Sequence, residues 1–95
     1  MNKPLKKYVI ERDIPGVHLL SPEERRKAAA TSNAALAQLA PRVQWVESMV
    51  ANDKTFCVYL AEDEAVIREH ARISGFPATR ITEVAGALSP ASAEA

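Results

Sequence analysis

Four interruptions in the hydrophobic pattern constrain this chain most. Pro15-Gly16, Pro41, Asn52-Asp53 and Gly75-Phe76-Pro77 each end one periodic run. Proline removes a backbone donor, and glycine accepts dihedral angles that other residues resist. The runs between these breaks carry extended or helical periods. Lys6 to Ile14 is rich in Tyr, Val and Ile and reads as a first strand. Ser21-Pro22-Glu23-Glu24 is a helix start, with Ser21 as cap, Pro22 at the first position and Glu24 completing a capping box. That helix runs to about Ala40. Val43 to Ala51 is a second strand, Asn52-Asp53 a tight turn, and Lys54 to Ala61 a third strand. A second helix spans Asp63 to Gly75, and Arg80 to Leu88 is a fourth strand. Residues 1–5 are expected to be a flexible N-terminus, 6–88 a single domain, and 89–95 a disordered tail.

The order β-α-β-β-α-β predicts an α+β, ferredoxin-like domain: a four-stranded antiparallel sheet with both helices on one face. The expected strand order is 4-1-3-2. At 95 residues the core is thin, so contacts with a partner matter to stability. Phe56, Val58 and Leu60 are uniformly apolar and are assigned to the helix side. Thr55, Cys57 and Tyr59 then face the open side, joined from strand two by Trp45, Glu47 and Met49. A face of that kind calls for a cover. A second copy is the simplest one, giving a homodimer of the dimeric α/β barrel type. On strand one, Tyr8, Val9 and Ile10 make both faces apolar, so its register stays open. Glu11 and Arg12 must nevertheless point to opposite sides, and whichever is buried needs a partner.

The second helix carries the sharpest candidate. At 100° per residue Val66, Ile67, Ala71 and Ile73 share one arc, with His70 in its middle. His70 therefore points inward, either as a metal ligand or acid–base group, or as a core histidine satisfied by a carbonyl or carboxylate. A network with Glu11, or with the neighbours of Arg12, is open to it. Cys57 is either a soft metal ligand or nucleophile, or a small core residue. A Cys57–His70 pair is disfavoured, since the assigned register puts the two on opposite sides of the sheet. His18, in the loop after Pro15-Gly16, is either a surface ligand or inert. Tyr8, Arg12, Trp45, Glu47 and Tyr59 are candidates for a ligand pocket or dimer face.

Several function classes are disfavoured. Lysine plus arginine equals aspartate plus glutamate, 12 against 12, which provides no basic surface for nucleic acid. Strand three also lacks the Arg and Gly of an RNA-stacking motif. One cysteine cannot form an internal disulfide, and no run reaches the length of a membrane span. The polar start lacks a signal-peptide core, so the cytoplasm is the expected location. Paired cysteines, His-x₃-His, His-Glu-x-x-His, a glycine-rich phosphate loop and a nucleophile elbow are all missing from the sequence.

Taken together, Tyr8-Val9-Ile10-Glu11-Arg12-Asp13-Ile14-Pro15-Gly16, Gln44-Trp45-Val46-Glu47-Ser48, Cys57-Val58-Tyr59, Ile67-Arg68-Glu69-His70-Ala71 and Gly75-Phe76-Pro77-Ala78 resemble one family. It is a group of small bacterial proteins named after a nickel-responsive, nickel-binding actinobacterial member. The resemblance covers roughly residues 7–90. It implies the ferredoxin-like fold, a dimer, and nickel as the metal. Glu11, Cys57 and His70 are the motif residues that could serve it, since nickel accepts carboxylate, thiolate and imidazole. A non-enzymatic metal- or small-ligand-binding homodimer, with nickel as the first choice, is thus the leading expectation, with no catalytic residue assigned. The alternatives are a cofactor-independent monooxygenase- or isomerase-like enzyme with its pocket between sheet and helices, and a protein-interaction module acting through the open sheet face.

Overall fold

The computed structural model describes residues 3–94; the expectations for residues 1, 2 and 95 lie outside them. The elements are β1 (Lys6–Asp13), a 3-10 turn (Val17–Leu19), α1 (Pro22–Leu39), β2 (Val43–Ala51), β3 (Lys54–Ala61), α2 (Glu64–Ser74), β4 (Arg80–Glu83) and a second 3-10 turn (Pro90–Glu94). The sheet runs β2-β3-β1-β4 with antiparallel neighbours throughout. This is the expected order, with strands one and three in the middle.

Local chemistry explains the boundaries. Gly16 takes φ 76° and ψ 7° after Pro15, and the Val17 N–H donates to the Ile14 carbonyl at 3.1 Å, as a type II turn requires. Ser21 and Glu24 form the reciprocal capping box of α1. Asp53 is the one non-glycine described residue with positive φ, 59°, and it closes the β2–β3 hairpin. Asp63 caps α2 by accepting the Val66 N–H at 3.0 Å, and Gly75 ends that helix at φ 81°.

β4 is shorter than the sequence suggested. It leaves the sheet after Glu83 because β1, its only neighbour, begins at Lys6; the last link is the Val84 N–H to the Lys7 carbonyl at 2.8 Å. Leu88, expected in the strand, is 93% exposed. The second 3-10 turn buries nothing.

The register of β3 is the opposite of the one expected. Tyr8, Ile10, Cys57, Tyr59 and Ala61 form one buried cluster with Leu39 of α1 and Val66 and Ile67 of α2. Thr55, Cys57 and Tyr59 therefore face the helices, while Phe56, Val58 and Leu60 face the open side. Cross-strand partners share a face, and β1 follows: Tyr8 opposes Tyr59, Ile10 opposes Cys57, and Arg12 opposes Thr55. Glu11 opposes Phe56 on the open side.

β2 breaks its own alternation. Trp45 pairs with Tyr59, but Glu47 pairs with Val58, so Val46 is an extra residue in a bulge. The bulge sends Trp45 to the helix side, contrary to expectation, and leaves Glu47 and Met49 on the open side. With helices on one face only, the open face carries Val9, Met49, Phe56, Val58 and Leu60 among Lys7, Glu11 and Glu47.

Candidate functional site

The helix-side layer closes at one end and stays hollow at the other. α2 covers the Tyr8–Ile10 end with Val66 and Ile67, and α1 adds Leu39; Ile10 and Ile67 are both fully buried. Each such isoleucine contributes about 1.5–3 kcal/mol. Toward its start α1 presents Ala28, Ala29 and Ser32 to the sheet, with Arg25 at the edge, and the three small residues do not fill the space. The result is a cleft of about 230 Å³. Its sheet wall is Arg12, Trp45, Ser48, Thr55, Cys57 and Tyr59, and Val17, Leu20 and Phe76 add apolar edges. Val50 and Arg25 line it as well and are themselves exposed, so the cleft opens there.

Arg12 sets the electrostatics. It is 2% exposed, on the central strand. Its Nη1 donates to the Pro77 carbonyl at 3.0 Å and the Phe76 carbonyl at 3.3 Å, just beyond the C-terminus of α2. That helix end presents negative partial charge to the cation. The guanidinium carbon also lies 5.7 Å from the Tyr59 ring centroid. Its Nη2 is buried and has no partner, and Arg12 takes part in no ion pair among the described residues. A buried cation ordinarily requires a carboxylate.

Beside it lies a polar pair. His70 is fully buried, and its Nε2 is 3.2 Å from Ser32 Oγ. Its ring meets Tyr59 edge-on, with centroids 5.4 Å apart. Burial, reinforced by the Arg12 charge, holds the His70 pKa below its ordinary value of 6.5, so the ring is neutral. Burial raises the Tyr59 phenol, and Arg12 partly offsets that. Both groups stay uncharged near neutral pH, which leaves Arg12 as the charge of the cleft floor. Thr55 Oγ1 and Cys57 Sγ lie 3.4 Å apart and complete the polar lining of the sheet wall.

The sequence-assigned residues are thus dispersed. Cys57 and His70 lie on the same side of the sheet, not on opposite sides, though His70 sits behind Ser32 and Tyr59. Glu11 faces away from His70 and lies 3.6 Å from Lys54 and 3.9 Å from Arg80. A Glu11–His70 network is therefore ruled out by the register of β1. His18 fastens two loops: its Nδ1 accepts the Asp53 N–H at 3.1 Å. Tyr8 belongs to the closed core, Glu47 to the open face, and Arg12, Trp45 and Tyr59 to the cleft. Among the described residues, no three His, Cys, Asp or Glu side chains come together to hold a metal ion. Sequence reasoning missed Ser32 as a partner of His70, and it missed Phe76 and Pro77 as partners of Arg12. The small residues of α1, Ala28, Ala29 and Ser32, were the available signal, because they leave space open beneath the helix.

Comparison with known proteins agrees with this architecture. The family model described as "Nickel responsive protein SCO4226-like" matches residues 8–84. None of the curated proteins matches the chain significantly. Among solved structures, the crystal structure of SCO4226 from Streptomyces coelicolor A3(2) is similar, with a TM-score of 0.66 and 20% identity, over 86% of this chain and 99% of that one. At that identity the likeness is one of fold. With four antiparallel strands in the order β2-β3-β1-β4, two helices on one face, and a family match that spans the domain, the chain belongs to the SCO4226-like family of nickel responsive proteins.

Proposed function

We propose that this chain is a small-ligand-binding protein that takes its ligand into the cleft beneath the sheet and acts as a homodimer. The cleft itself carries the reading. It is apolar around most of its wall, has a few converging donors, and opens where Arg25 and Val50 are exposed. Its volume of about 230 Å³ lies below the ~300–1,000 Å³ typical of sites for drug-sized ligands, which favours a molecule the size of one ring or a short acyl chain. Among the described residues its polar lining is Arg12, Arg25, Ser32, Ser48, Thr55, Cys57, Trp45 and Tyr59, groups suited to holding a ligand. The uncovered sheet face supports the dimer. Its apolar residues lie among Glu11, Glu47, Lys7 and Lys54, a mixture of charges that a two-fold axis can match to itself.

Nickel is the second reading, favoured by the family's description. The donors of one chain do not fit it, because Glu11, His18, Cys57 and His70 point to different places. A nickel site on this protein would draw donors from two copies. Calorimetric titration of tag-free protein with nickel checks this reading: heat that saturates at a fixed ratio to the dimer supports it, and heat no greater than that of buffer rejects it.

For the cleft, the test is a titration with benzyl alcohol, a neutral single-ring probe, followed by amide chemical shifts. Shifts confined to Ser32, Thr55, Cys57 and Tyr59 and their neighbours are expected. A spectrum unmoved at millimolar probe rejects the reading.

A further inference from the structure

Resting on the ligand-binding reading, we infer that the cleft is built for a small monocarboxylate with an apolar body, its carboxylate held by Nη2 of Arg12. Four observations converge. Arg12 lines the cleft and is almost wholly buried, yet its Nη2 has no hydrogen-bond partner. Leaving a buried charged donor unmatched costs more than leaving a neutral one unmatched, so such a group marks a place where an acceptor belongs. Among the described residues no carboxylate answers the charge. The neighbouring carboxylate, Glu11, is turned to the opposite face and engaged by Lys54 and Arg80. Asp13 likewise lies near Lys54.

The second observation is rigidity. Nη1 is fixed by two backbone carbonyls and the guanidinium lies over Tyr59, so Nη2 is held in place before any ligand arrives. Preorganisation of this kind reduces the ordering cost of binding.

The third concerns charge. Among the described residues Arg12 is the one buried cation of the cleft; Arg25 is exposed at the mouth, and its Nη2 is directed at the His18 carbonyl at 3.5 Å. A single guanidinium matches a single negative charge, whereas a phosphate of two charges would meet no second buried cation.

The fourth concerns shape. Beyond Arg12 the walls are Val17, Leu20, Trp45 and Phe76, with α1 contributing the methyl groups of Ala28 and Ala29. An apolar body therefore extends from the carboxylate toward the mouth. Ser32, Thr55 and the Tyr59 phenol stand close enough in the lining to accept or donate a further hydrogen bond, and all stay neutral.

The experiment compares benzoate with benzamide, which share a ring and differ in charge, on the wild-type protein by calorimetry and amide shifts. Benzoate is expected to bind about tenfold or more tighter, the ratio that a charge-assisted hydrogen bond supports. In Arg12→Met the advantage of benzoate disappears while benzamide binding persists; Arg12→Lys, which keeps the charge, retains part of the advantage should the Met variant fold poorly. Equal binding of benzoate and benzamide to wild-type protein overturns the proposal. So does inorganic phosphate binding as tightly as benzoate. Benzyl alcohol binding without benzoate binding overturns the carboxylate assignment and leaves the cleft reading standing, whereas silence of benzoate, benzamide and benzyl alcohol alike overturns both.

Discussion

At the Tyr8–Ile10 end of the helix-side face, two helices meet over the sheet and leave no room: Val66 and Ile67 from α2 and Leu39 from α1 fill the layer. At the Arg12–Thr55 end, α1 offers the sheet two alanines and a serine, and Val17, Leu20 and Phe76 line only the edges. Both ends follow the same strand alternation on β1 and β3. What differs is the side-chain volume supplied by the helix above. The closed end secures the fold, and the hollow end is free to hold something else. His70 and Ser32 stand at the border between them, joined across 3.2 Å.

Substitutions can break or sharpen this contrast. The largest effect belongs to the closed end. Ile67→Ala, at a fully buried site, is expected to cost about 2–5 kcal/mol in denaturant unfolding, because the surroundings collapse only partly into the cavity. A loss below about 1 kcal/mol would mean that this end is not closed.

The border has a pH signature. The folded pKa of His70 is lowered below the unfolded value near 6.5, so on acidification the unfolded chain takes up a proton before the folded chain does. Stability is therefore retained above about pH 6.5 and lost as pH falls below it, with a slope of at most ~1.4 kcal/mol per pH unit from this one group. Urea midpoints measured between pH 7 and 5 check it. His70→Gln, which keeps a hydrogen-bonding group near Ser32, should remove that part of the slope.

At the hollow end, Ser21→Ala removes the capping box of α1 and is expected to cost about 1 kcal/mol, read from the same midpoints. It should also weaken benzyl alcohol binding, since the first turns of α1 form the cleft's helix wall. The smallest effect is on the outer surface of α2. Arg68→Ala breaks the exposed Glu64–Arg68 pair at 3.0 Å and should change stability by no more than about 0.5 kcal/mol, with the difference shrinking in salt.

Much of this architecture was legible in the sequence because its boundaries are chemical. Pro15-Gly16, the Ser21–Glu24 box, Asn52-Asp53 and Gly75 punctuate the chain at places where the backbone admits few alternatives. The inward turn of His70 was legible too, since helical periodicity determines it. The faces of the strands were not. In Phe56-Cys57-Val58-Tyr59-Leu60 both alternations are apolar, and aliphatic character was a poor guide because Tyr59 and Cys57 bury as readily as Val58. The better signal lay in β1, where Lys7, Glu11 and Asp13 share one alternation against Arg12 and Lys6 on the other. Burial of Arg12 hid that signal, because either Glu11 or Arg12 could have been the charge turned inward. The bulge at Val46 has no mark in the local sequence; it arises only when β2 pairs with β3. A cleft is harder still to read, since it is defined by volume that Ala28, Ala29 and Ser32 do not supply.

That missing volume can be tested directly by filling it. Ala28→Leu places an isobutyl group into the cleft wall. With an open cleft, unfolding stability stays unchanged or rises slightly, and the benzyl alcohol shifts at Ser32, Cys57 and Tyr59 are lost. A loss of about 1–3 kcal/mol, the ordinary consequence of overpacking a filled core, with the probe shifts intact, would contradict the open cleft.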